Sequence, residues 1–119
     1  MKTLIITETE FHHGSKVSEA QSKINAILTN KRYYVIHLGI KDEDIDNAFK
    51  RFYWDSIFPI GTLRGNPKTP VTEKQISDVI DYCLRKDMDL VIVSNNENPI
   101  MAQNVMEEVI ATAEEYALS

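Results

Sequence analysis

The chain has 119 residues, 43% of them hydrophobic and 26% charged, with a formal net charge of -5. That is enough for one compact domain, 1–119, and too little for two. The acidic excess excludes a general attraction for a phosphate backbone and, with it, duplex binding as the main task.

A strand is expected at Thr3–Thr7, where the apolar run L-I-I sits between threonines. The polar loop E-T-E-F-H-H-G-S follows. Val17, Ala20, Ile24, Ile27 and Leu28 then keep helical spacing, with Asn30 and Lys31 as a stop. Tyr33 to Leu38 is β-branched and aromatic and reads as a second strand. Asp42 is placed to cap a helix with an acidic first turn and with Lys50 and Arg51 at its end, the polarity a helix dipole favours.

From Trp54 to Val71 the chain carries three prolines and two glycines and is expected to be one long irregular segment, of the kind that is functional or mobile. Thr72 and Gln75 have capping-box spacing ahead of Ile76, Val79, Ile80, Cys83 and Leu84, an amphipathic helix. Cys83, the single cysteine, excludes an internal disulfide and reads as a core thiol of a reducing compartment. Leu90 to Val93 is the third strand. Asn98 and Pro99 have the character of N-cap and N1 for a final helix with Met101, Val105, Val109, Ala113 and Ala117 inward. No leader-like opening and no run of about 18 apolar residues occurs, so a soluble, cytoplasmic protein without membrane attachment is expected.

The order β-α-β-α-loop-α-β-α implies right-handed crossovers and a three-layer, Rossmann-like α/β domain with a small parallel sheet. With the first strand in the middle, the switch point falls between the first and third strands, where ligands settle at strand carboxyl ends. The loops meeting there would bring Glu8, Glu10, His12, His13, Asn95, Asn96 and Glu97 into one crevice. Gly14, Ser15 and Lys16, at a helix start, suit a phosphate. Carboxylates from two loops suit a hard cation such as Mg²⁺. The same residues have local uses, because Asn95, Asn96 and Asn98 favour turns and caps.

Two families share these patterns. L-I-I-T-E-T-E-F-H resembles the first motif of Toprim domains, with Glu8 at the family's glutamate, Thr9 where its glycine stands and His12 where a later aspartate stands. L-V-I-V-S-N-N-E-N-P resembles the second motif, with Asn95 and Glu97 in the two acidic positions. The likeness implies Mg-dependent phosphodiester or nucleotide chemistry, with Glu8 and Glu97 on the metal and His12 or His13 moving a proton. Asn95 in place of an aspartate removes one negative charge, so the metal site it implies is degenerate. The second resemblance is to flavodoxins, whose phosphate loop is similar to H-H-G-S-K, and it implies FMN as cofactor.

Recognition of a phosphorylated ligand, a nucleotide or a nucleic-acid end, is therefore the expected function, with catalysis left open. Arg64 adds a cation to such a site. The alternative is a regulator or inhibitor, or a self-associating scaffold, that binds protein through the aromatic and basic stretch 52–68, where Phe52, Tyr53, Trp54, Phe58 and Leu63 neighbour Arg64 and Lys68.

Overall fold

The computed structural model describes residues 1–7, 32–47, 59–95 and 99–118. Four strands lie in one sheet: β1 (Thr3–Thr7), β2 (Tyr33–Leu38), β3 (Gly61–Gly65) and β4 (Asp89–Ser94). Two long helices, α1 (Glu73–Arg85) and α2 (Pro99–Leu118), accompany them, and residues 42–47 form a further helical stretch. The helix expected from Val17 to Leu28 lies outside the described residues.

Every strand pair is parallel and the order is β1-β4-β2-β3. The α/β class, the parallel sheet and its Rossmann-like character are as the sequence implies. So is the pairing of the first strand with the strand around Leu90–Val93, which runs Thr3↔Leu90 to Thr7↔Ser94. Two details differ. The first strand is not central: β4 occupies the middle, between β1 and β2. All six residues of β4 are buried, whereas Ile5 of β1 is 39% exposed. The apolar run Leu90–Val93 lies in one of the two strands flanked on both sides, as expected where two neighbours and two faces all exclude water; β2, between β4 and β3, is likewise buried at every position but Tyr34.

The second difference is β3, which lies inside the segment expected to be irregular. Its register, Tyr34↔Gly61 through Leu38↔Gly65, extends the ladder of β2. The Ile60 N–H begins that contact by donating to the Tyr33 carbonyl at 2.9 Å. Two glycines bracket only three other residues here, so the composition carries a turn signal although the backbone is extended.

One sheet face packs against α1 and α2. Ile36, Leu38, Leu90 and Ile92 meet Ile76, Ile80 and Cys83 of α1 and Ala102, Val105 and Val109 of α2 in a continuous core. The neighbouring positions Ile6, Val35, His37, Val91 and Val93 point to the opposite face and are just as buried, as a three-layer arrangement requires. Each fully buried aliphatic side chain contributes about 1.5–3 kcal/mol. Along α2 the inward stripe is narrower than expected: Val105 and Val109 are buried, Met101 and Ala113 are half-buried, and Ala117 is exposed.

Helix α1 begins as its sequence implies. The Gln75 N–H donates to Thr72 Oγ1 at 3.2 Å and the Thr72 N–H to Gln75 Oε1 at 2.8 Å, a complete capping box. At its end Asp87 takes the left-handed conformation, φ 52°, and the Met88 N–H returns to the Cys83 carbonyl at 2.9 Å, satisfying an orphan acceptor of the last turn.

Candidate functional site

Thr7, Ser94, Leu38 and Gly65 share one register row across the sheet, so all four strands end on the same line. Their carboxyl ends form a single rim, the edge at which open parallel sheets receive ligands. The exit of β2 is stitched to both neighbours. Gly39, at φ 70°, turns its N–H to the Gly65 carbonyl at 2.6 Å, a conformation that costs little only without a Cβ. From the other side the Asn95 N–H donates to the Leu38 carbonyl at 3.1 Å, and Asn95 Nδ2 to the Gly39 carbonyl at 3.2 Å. Asn95 thus reaches toward β2 as well as standing at the exit of β4.

Beside this stitch, a cleft of about 500 Å³ opens between the segments that follow β2 and β3. Lys41 and Asp42 form one wall; Asn66, Pro67, Lys68 and Thr69 form the other. Asn66 organises its own wall, because its Oδ1 accepts from the Lys68 N–H at 2.9 Å and the Thr69 N–H at 2.7 Å. Its Nδ2 donates to Asp42 Oδ2 at 3.3 Å and so ties the two walls together. Arg64 Nη2 pairs with Asp46 Oδ1 at 2.7 Å, a second strut between β3 and the helical stretch.

The sequence placed Asp42 as a helix cap. The Ile45 N–H bonds the Lys41 carbonyl at 3.1 Å, so Lys41 is the capping position and Asp42 the first helical residue. Asp42 is freed to hold Asn66. Neither Lys41 nor Asn66 was singled out from the sequence. The signal available was N-P-K-T-P, a turn built on an Asn side chain.

Of the expected site residues, Asn95 and Arg64 lie at the rim as described. Glu8, Glu10, His12, His13, Gly14, Ser15, Lys16, Asn96, Glu97 and the cap Asn98 lie outside the described residues, as do Phe52, Tyr53, Trp54 and Phe58. Glu8 and Glu97, the pair implied for Mg²⁺, are among them. Among the described residues no three metal-ligating side chains come together, and no helix is long and apolar enough to cross a membrane. His37, the third histidine, is wholly buried within β2, in the row of Val93 and Arg64. Cys83 is equally buried, and burial pushes its thiol up to about 11, the reverse of what a nucleophile needs. Comparison with protein-family models, with curated proteins and with solved structures found no match to this chain.

Proposed function

We propose that this domain binds a phosphorylated small molecule or nucleic-acid end at the carboxyl rim of its sheet, with Lys41 and Lys68 as the phosphate contacts. The observation that supports the reading is the cleft itself: two exposed lysines line about 500 Å³ of space at the rim where four parallel strands end. Asn66 uses its side-chain oxygen to fold the Lys68–Thr69 backbone and its amide to hold Asp42 Oδ2, so the cleft carries two ammonium groups against the one carboxylate of Asp42, a net positive lining. A dianionic phosphate between two lysines gains charge-assisted hydrogen bonds that a neutral ligand lacks.

Calorimetric titration with nucleoside mono- and triphosphates and with a 5′-phosphorylated oligonucleotide tests this. Binding is expected for at least one of them, and the Lys41→Ala/Lys68→Ala pair weakens it at least about tenfold, as loss of two charge-assisted contacts implies. Binding that the double variant leaves unchanged, or no binding by any phosphorylated probe, removes the reading.

A further inference from the structure

At the opposite end of the sheet a second groove, about 450 Å³, runs between the start of β3 and the outer side of α1. Its walls are Tyr34, Ile60, Val79 and Tyr82, with Asp78 at the rim. Tyr34 and Tyr82 meet edge to face, ring centroids 6.3 Å apart at 69°, so the two rings present π-surface in nearly perpendicular planes. The seat of Tyr34 is built by Gly61. A Cβ there would come 2.4 Å from the Tyr34 ring, and the bare backbone lets the ring lie close while its hydroxyl donates to the Thr62 carbonyl at 3.3 Å. Burial raises the Tyr34 phenol above its ordinary range, which keeps the ring neutral.

Asp78 stands one helical turn before Tyr82. Asp81, its near neighbour, pairs with Arg85 at 3.2 Å, while no ion pair engages Asp78 among the described residues. A carboxylate beside two perpendicular aromatic rings attracts one class of head group, an organic cation, through the ring quadrupoles and the charge together. The apolar floor of Ile60 and Val79 suits the aliphatic stem on which arginine and lysine carry that head. Ile60 is 54% exposed, more apolar surface than a free ammonium ion covers and a ready contact for residues flanking a basic side chain. The net charge of -5 adds attraction at long range.

We propose that this groove docks an arginine side chain of a partner polypeptide, its guanidinium between Asp78 and the Tyr34–Tyr82 pair and its stem on Ile60 and Val79. The site is separate from the lysine cleft and does not depend on that reading. Amide signals of the ¹⁵N-labelled full chain, titrated with acetyl-Gly-Val-Arg-Val-Gly-amide, test it against the same peptide carrying citrulline, which keeps the shape and removes the charge. Gly61, Val79 and Tyr82 are expected to shift with the arginine peptide, and citrulline binds at least about threefold more weakly. Asp78→Asn and Tyr82→Leu, both at exposed positions of α1, each reduce arginine binding about threefold to tenfold. Equal binding of the two peptides, shifts confined to other residues, or unchanged affinity in Asp78→Asn overturns the proposal. Spermidine displacing nothing supports a polypeptide side chain, and spermidine binding as tightly as the peptide overturns that assignment.

Discussion

Cys83 illustrates how position decides chemistry at the scale of one residue. It sits at 0% exposure in α1 among Ile80, Met88 and Leu90, and desolvation first, then the carboxylate of Asp89, raise its thiol to about 11. At pH 8 the native thiolate fraction is therefore roughly a hundredfold below that of the unfolded chain, before steric shielding is counted. Alkylation by iodoacetamide at pH 8 is expected to be at least about a hundredfold slower in the native protein than in denaturant, read by mass spectrometry. The sign for stability follows from the raised value. Well below pH 9 the thiol is mostly neutral in both states; as the pH climbs through 9 toward 11 the unfolded chain ionises first and the native state loses up to about 3 kcal/mol. A Cys83→Ala variant escapes that loss, so its urea midpoint falls less steeply with alkaline pH. A rapid native reaction, or parallel pH curves for the two proteins, contradicts this account.

The elements themselves differ in how far the sequence discloses them, and α1 is the clearest. Thr72, Gln75 and the apolar positions 76, 79, 80, 83 and 84 all agree, and the capping box forms as written. Thr72→Ala removes the acceptor for the Gln75 N–H and is expected to cost about 1 kcal/mol in urea unfolding, whereas Thr72→Ser costs a few tenths at most. β3 was illegible for the converse reason. Its strand character comes from pairing with β2 and not from its own residues, since Gly61 and Gly65 have poor strand preference and earn their places by close approach, Gly61 to the Tyr34 ring and Gly65 to the His37 carbonyl. The candidate cleft shared that fate. Lys41, Asn66 and Lys68 lie in segments with no periodicity, and what joins them is the Asn66–Asp42 bond between parts of the chain 24 residues apart.

The order of the strands is a property of the whole molecule, because β4 comes last in the chain and sits between β1 and β2. Strand alternation with helices announced a parallel sheet, yet nothing local says which strand is inserted where. β1 finds its partner only across a long loop: the Lys2 N–H meets Asp89 Oδ1 at a separation of 87 residues. Closing such loops is an entropic cost met late, and sheets of this kind fold slowly. The same topology makes β4, with β2, one of the two inner strands whose release opens the sheet. Separating it removes the pairings to both β1 and β2 at once, together with the contacts of Leu90 and Ile92 to both helices. β1 and β3, each paired on one side among the described residues, can detach while the rest persists. Native-state hydrogen exchange in low urea is therefore expected to rank the amides of Val91, Ile92 and Val93 with the global unfolding free energy, and those of Leu4 and Thr62 below it. Amides of β1 protected as strongly as those of β4 would mean that the sheet opens as one unit, and the central role given to β4 would fall.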